Sequence, residues 1–356
     1  MTVLTRFITW RMAFFSLLSV LVLVAISLSF ELLEEADNVL AAADGDVSAV
    51  FSYALLRVPD IASKMLPIAA MLAALTTCGL MIRHNEFVAL WSSGISALTI
   101  LRTFLPIAAV LSVLQFVLDD LLVPVSLGQL YAWNVGDFRR SGLLSSDLEE
   151  VWLLSGHDIV SLPLRSARLG HLETVTIFIR DGDGVLIDQL QAATAQPVDD
   201  GWLLRNVNRY SAVAAHSEHL AEYLWRGHIA FDNLPLISAS LRELSLGEIV
   251  TLIRNDGFGQ RPPNMAMTWA HVRVAGVFSP LLIVFLVVSA AQFYRRGGTF
   301  TVLLLICFAV GFFYFILDNI GLALGESGFL PPWLAGWSAK IVLLCIVGSL
   351  LTRNEA

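Results

Sequence analysis

Long apolar runs separated by short polar links occupy both ends of the chain, while the middle alternates apolar and polar residues with a period of two. A membrane helix needs roughly 20 largely apolar residues to cross ~30 Å of hydrocarbon. Six stretches meet that requirement: 10–30, 65–82, 97–118, 265–293, 299–317 and 332–351. The first begins beside Arg6 and Arg11, as a signal peptide would. Its apolar run is too long for one and the residues after it make a poor cleavage site, so a retained span is expected.

Residues 123–264 read differently. VWLLSGHDIVSLPL predicts two strands around a turn at Ser155-Gly156-His157-Asp158. TVTIFIR alternates β-branched and aromatic residues, DGDG turns the chain, and VLIDQLQAATA, GWLLRNVNRY and AEYLWRGHIAF continue the series. Short strands at this spacing with no helix between them predict a sandwich or jelly roll. LSLGEIVTLIRNDGFG then breaks the pattern: Ser245 and Glu248 form a capping box, Ile249, Leu252 and Ile253 an apolar stripe, and Gly257 a stop.

The link between the second and third runs, RHNEFVALWSSGIS at 83–96, is too apolar for a plain connection. Phe87, Leu90 and Trp91 fall at i, i+3 and i+4, on one helical face. Asn85 can cap the start of such a helix and Gly94 can end it. Pattern alone leaves two destinations for that face: a groove on a partner protein, or the membrane surface.

Composition strengthens the membrane reading. Of 356 residues, 56% are hydrophobic and 15% charged, with mean hydropathy +0.73, whereas soluble domains carry about 25% charged residues. Arg6, Arg11, Arg83, Arg102, Arg295, Arg296 and Arg353 all fall on one side if both termini are cytoplasmic. The opposite side carries the acidic run Glu31, Glu34, Glu35 and Asp37, with Arg57 and Lys64 as its main exceptions. A net charge of −8 argues against a nucleic-acid partner. Cys78, Cys307 and Cys345 all lie in apolar runs and read as small hydrophobes.

Candidate chemistry is sparse. No lysine follows a glycine in a phosphate-binding loop, so the chain is not expected to hydrolyse ATP by that device. DGDG reads as a hairpin turn rather than a calcium loop, and His216, Glu218, His219 and His228 lack zinc-site spacing. No nucleophile–base constellation stands out, and no cofactor is expected. Asp119, Asp120 and Asp318 are placed at span ends within reach of water. Lys340 and Arg273 either snorkel outward or pair with an acid on another span or subunit.

Three spans, a large β region and three more spans make an uncommon plan. The chain resembles the lipopolysaccharide-export permeases of the LptF/LptG (YjgP/YjgQ) family over essentially its whole length. The resemblance is carried by LPIAAMLAALTTCGLMIRHNEFVALWSSGIS (66–96), LSLGEIVTLI, Pro280 in the fourth span, and GFLPPWLAGWSAKIVLLCIVGSLL (328–351). The last piece is closer to the LptG branch. The resemblance implies a membrane α-helical fold, with six transmembrane helices and a periplasmic β-jellyroll domain inserted between helices three and four. The corresponding divisions are 1–122 for the first three spans with a cytoplasmic coupling helix at about 85–94, 123–243 for the β domain, 244–264 for a connecting helix and linker, and 265–356 for the last three spans.

It also implies a function. Such a chain would be the permease subunit of an ABC transporter that extracts lipopolysaccharide from the bacterial inner membrane. Its partners would be an LptF-like permease as heterodimer, an LptB-like ATPase dimer and LptC- and LptA-like periplasmic proteins. Glu86, Phe87, Leu90, Trp91 and Gly94 would form the coupling helix seated in the ATPase. Phe30, Glu31, Glu34, Phe312, Phe313, Tyr314 and Asp318 would border the substrate cavity and its lateral gate. Ile177 would face the lipid path of the β domain. One departure is the acidic end of span one, where LptG proteins tend to be basic for lipid phosphates. Two other readings stay open on the residues alone: a proton-coupled secondary lipid transporter using Asp119, Asp120 or Asp318, and a membrane anchor for a β-domain scaffold.

Overall fold

The computed structural model describes residues 2–43, 45–133, 135, 138, 150–163, 172–182, 184–198, 200–212, 216–227, 239–254, 262–293 and 300–355. Gly257, His228, Arg295 and Arg296 lie outside them. The chain divides into two compact units, one of residues 1–138 with 267–356 and one of residues 139–266.

In the first unit, α1 (Thr2–Ala42) is a single 41-residue helix, about 60 Å long at ~1.5 Å per residue and so about twice the hydrocarbon thickness. Asp46 caps α2 (Val47–Arg83), accepting from the backbone N–H and hydroxyl of Ser48 at 2.9 and 2.7 Å. These two bonds hold the Asp46 carboxyl below its usual range. At the end of α1 away from the N-terminus, α1 and α2 join α5 (Val123–Trp133) around a separate apolar cluster of Val39, Tyr53, Val123, Leu127, Leu130 and Phe138.

The short link forms α3 (Glu86–Ser92). Its end is a complete Schellman closure: Gly94, at φ +80°, donates to the Trp91 carbonyl at 2.9 Å, and Ile95 donates to the Leu90 carbonyl at 3.2 Å. Its start differs from expectation. Asn85 is left-handed, at φ 55°, and makes no side-chain cap bond; a side-chain cap goes with the extended backbone that Asp46 and Ser96 adopt. α4 (Ala97–Val117) begins at Ser96, whose hydroxyl accepts from the Thr99 N–H at 3.3 Å. It runs through a π-helical turn, Leu118–Leu122, straight into α5. Asp119 and Asp120 therefore sit inside a continuous helix.

α7 (Pro263–Gly276) and α8 (Ser279–Phe293) follow the β unit and a short helix, α6 (Leu246–Arg254). They are bent by 45° at a short break, where Pro280 removes a backbone donor in the first turn of α8. The fourth span is thus a broken pair. α9 (Phe300–Glu326) and α10 (Pro332–Glu355) complete the unit. Gly321 and Gly325, one turn apart on α9, let α10 approach closely. A Cβ at Gly321 would stand 2.7 Å from the Ala335 carbonyl oxygen, the small-residue contact that packs helices in lipid.

Among the described residues, five helices are long and apolar enough to cross a membrane, and the bent pair makes up to six. Burial within them is uneven. In the most apolar stretch of each, 61% is buried in α2 and 50% in α4, but only 11% in α1 and 22% in α9. The core is built by α2, α4 and α8, the last apolar all round and buried from Leu282 to Gln292 except Phe285. α1 and α9 stand at its edge with apolar faces open.

Among the described residues, the strands of the second unit form one six-stranded antiparallel sheet in chain order: β1 (Glu150–Ser155), β2 (Asp158–Pro163), β3 (Leu172–Arg180), β4 (Leu186–Val198), β5 (Gly201–Ser211) and β6 (His216–Trp225). β1 to β5 fall where the alternation predicted them; β6 begins at His216, five residues before AEYLWRGHIAF, and residues 228–231 of that stretch lie outside the described residues. The alternation slips once, at the same level on three strands. Leu172 and Val175, Ala192 and Ala195, and Leu204 and Val207 are buried three apart rather than two. Thr174 and Asn206 take positive φ at that level, 56° and 57°, and the sheet folds there around one apolar core. Trp225 at the end of β6 donates to Asp158 at the start of β2 at 2.8 Å, and Asp158 also accepts from the Arg180 N–H at 3.2 Å. The curled sheet is pinned to itself at this end. The capping box that precedes α6 is reciprocal: Ser245 N–H donates to Glu248 at 2.8 Å and Glu248 N–H to the Ser245 hydroxyl at 3.3 Å.

Candidate functional site

α3 owes its position to its apolar face. Phe87 is 2% exposed and packs into the core of the membrane unit, with Leu90 and Trp91 partly buried against the same core. Phe87 and Trp91 stack at 5.6 Å between ring centroids. The face that periodicity offered to a partner groove or the membrane surface is therefore seated on the chain's own spans. The exposed side of α3 is Val88, Ala89 and Ser92. Glu86 is also engaged within the chain: Arg11 of α1 donates to its two carboxylate oxygens at 3.2 and 3.4 Å. With side chains 17% and 32% exposed, Arg11 and Glu86 form a half-buried pair that ties the start of α3 to the first span.

At the far end of α1 the acidic run is partly neutralised. Glu31 accepts from Arg57 Nε at 2.6 Å and Nη2 at 2.8 Å, a two-point fork, and from the Tyr53 hydroxyl at 2.9 Å. Asp60 accepts from Arg57 Nη1 and Lys64 Nζ, each at 2.8 Å, and the Arg57 guanidinium lies 4.9 Å from the Phe138 ring centre. Glu35 is buried and accepts from Asn38 at 3.0 Å. Glu34 stays exposed, and Phe30 is 66% exposed. Lys64, its side chain 49% exposed, is the cation of this network that reaches solvent.

The residues placed on span five separate into two sets. Phe312 and Phe313 point outward, 69% and 52% exposed. Tyr314 turns inward, with its hydroxyl 2.6 Å from Ser279 of α8, and Asp318 pairs with Lys340 of α10. Lys340 is buried and its Nζ lies 5.9 Å from the Tyr314 ring centre. α9 continues to Glu326, so Asp318 lies about two turns before the end of the helix. The solitary lysine in an apolar run was the signal; its partner could not be read from spacing. At the π-helical turn, Asp119 accepts from Gln115 at 2.7 Å and is bonded by Ser63 of α2. In the β unit, Ile177 is fully buried in the packed core.

Long apolar helices around a buried core, interrupted in sequence by an antiparallel β unit, define a multi-pass membrane protein with no enzymatic constellation among the sites described. The family described as lipopolysaccharide export system permease LptF/LptG matches residues 6–353, and the chain belongs to that family. It is 23% identical over 282 residues to the lipopolysaccharide export system permease protein LptG of Escherichia coli K12, covering 75% of this chain and 75% of that one. The LptG of E. coli O6:H1 matches with the same figures. The chain is thus a permease of a lipopolysaccharide export system, as the second- and sixth-span motifs implied.

Proposed function

We propose that the chain is the LptG-like half of an ABC transporter in the bacterial inner membrane, with both termini cytoplasmic and the β unit periplasmic. It pairs with an LptF-like permease and an LptB-like ATPase dimer, extracts lipopolysaccharide, and hands it to LptC- and LptA-like proteins. Family membership over residues 6–353 is the observation that carries this reading.

The geometry suggests how force would travel. α3 rests on the membrane core through Phe87, Leu90 and Trp91 and on α1 through Glu86. An ATPase gripping the exposed side of Val88, Ala89 and Ser92 moves the core and α1 together. α1 and α9, with their open faces, then shape the substrate entrance, where Phe30, Phe312 and Phe313 meet acyl chains. Arg57 balances Glu31, so the end of α1 presents less negative charge to a phosphorylated lipid than its sequence suggests, and Lys64 offers a cation. Lipid reaches Ile177 when the sheet opens, and the Asp158–Trp225 bond lies on that opening.

The test is copurification followed by reconstitution. The purified complex should contain a small soluble ATPase, and proteoliposomes should release lipopolysaccharide to a periplasmic acceptor only with ATP. Export driven by a proton gradient in the absence of any ATPase would overturn the reading in favour of secondary transport through Asp119, which Ser63 and Gln115 hold at the π-helical turn.

A further inference from the structure

We propose that the groove between α2 and α9, on the Arg83 side of the membrane, binds an anionic glycerophospholipid, with an acyl chain in the groove and the phosphate on Arg83. The groove has a volume of about 470 Å³, within the ~300–1,000 Å³ of small-molecule sites. Its walls are Leu72, Leu75 and Leu80 of α2 and Leu304 and Phe308 of α9, and Arg83 closes one end. Thr76 also lines it, but its hydroxyl donates to the Leu72 carbonyl at 2.8 Å. The groove offers its occupant hydrocarbon along its length and a positive charge at its mouth.

Arg83 differs from Arg11 on the same side, which has a carboxylate within the chain, and of the exposed arginines of that side, Arg6, Arg83 and Arg102, it is the one that lines this groove. Arg83 is exposed, and among the described residues its side chain has no hydrogen-bond or ion-pair partner. As the last residue of α2 it is favoured by the helix dipole, but a dipole end supplies no counter-anion. At the membrane interface the available anion is a lipid phosphate, and basic pockets between transmembrane helices bind anionic head groups in this way. Arg83 lies on the same side as Arg11, because Glu86, three residues on, pairs with Arg11. By arginine placement this is the cytoplasmic side, where the leaflet holds glycerophospholipid. The next residues, His84 and Asn85, lead directly into α3. A lipid bound here grips the junction between the second span and the coupling helix, and so tunes how firmly α3 is held. That consequence, and which side is cytoplasmic, rest on the proposed function; the binding itself does not.

The full-length protein, purified with its partners in nanodiscs, is photolabelled with phosphatidylglycerol carrying a diazirine in its acyl chain, or with phosphatidylcholine of identical chains. Adducts are mapped by mass spectrometry. The anionic probe should label the α2 and α9 walls about fivefold more than the zwitterionic one, the advantage of one basic residue near the surface. Arg83→Gln should remove that advantage and leave phosphatidylcholine labelling unchanged. Gly79→Leu, which fills the groove, should lower labelling by both probes, with monodispersity confirming the fold. Equal labelling of wild type by both probes would make the groove an ordinary lipid contact and overturn the proposal. So would the absence of adducts because a partner helix covers it, or recovery of lipopolysaccharide as the bound lipid. No ATP or transport is involved, so failure of labelling leaves the export reading intact, and failure of export leaves the labelling result standing.

Discussion

Breaking the Asp318–Lys340 pair should destabilise the membrane unit unequally from its two sides. Lys340 lies eight residues past Pro332 on α10, about 12 Å along the axis. Asp318 lies eight residues before Glu326 on α9, at a matching depth. The lysine side chain is 3% exposed and the aspartate 27%. Removing one member of a buried pair strands the other, at about 3–5 kcal/mol when burial is complete. Asp318→Asn strands the more buried group, a lysine with the Tyr314 ring as its remaining attractive contact, and should cost about 2–4 kcal/mol. Lys340→Met strands a carboxylate with some access to the surface and should cost about 1–2 kcal/mol. The double variant, with Asp318→Leu and Lys340→Met, removes both charges. It should be less destabilised than Asp318→Asn alone, since apolar replacements of buried pairs are often neutral. Unfolding of the purified protein in detergent, read as a double-mutant cycle with Asp318→Leu and Lys340→Met as its single arms, gives the coupling. If the two single losses simply add, within about 0.5 kcal/mol, the charges do not depend on one another and the pair does not fasten α9 to α10. A large coupling, with lipid release impaired in both single variants and restored in the double, would assign the pair to holding α9 in place.

The Arg11–Glu86 pair is half-exposed and should couple by about 0.2–1 kcal/mol in the same kind of cycle. The charge swap of Arg11→Glu with Glu86→Arg should restore lipid release lost in either single variant, whereas failure of the swap would mean that Glu86 acts on another protein. Gly325→Leu should force α9 away from Ala335 and Thr268 and cost about 1–3 kcal/mol as overpacking, visible as a lowered unfolding midpoint. Thr174→Gly should leave the sheet folded and raise its stability by up to about 1 kcal/mol, because a β-branched residue is strained at φ 56°; a destabilised variant would show that the fold at this level is held by the threonine side chain. Trp225→Phe removes the bond to Asp158 and should cost about 1 kcal/mol, with faster hydrogen exchange at the β2 and β6 ends.

Much of this architecture follows from local chemistry. Apolar runs of span length lack alternatives to helix in hydrocarbon, so the sequence determined where the membrane helices form. Period-two alternation located the β strands, Ser245 and Glu248 marked the capping box, and Gly94 ended α3, because each is set by residues only a few positions apart. The tertiary structure decided the rest. Periodicity identified the Phe87–Leu90–Trp91 face but could not say what it touches; the chain's own core covers it. Lys340 stood out as a charge in an apolar run, yet its partner comes from another helix, as do those of Glu31 and Glu86. Polar residues near the ends of the apolar runs left the true ends of α1, α4 and α9 concealed, because a helix continues wherever tertiary packing holds it, as the cluster around Tyr53 holds α1. The slip shared by Thr174 and Asn206 was equally hidden, since a sheet folds only when neighbouring strands bend at one level, and strand alignment is fixed by residues far apart in the chain.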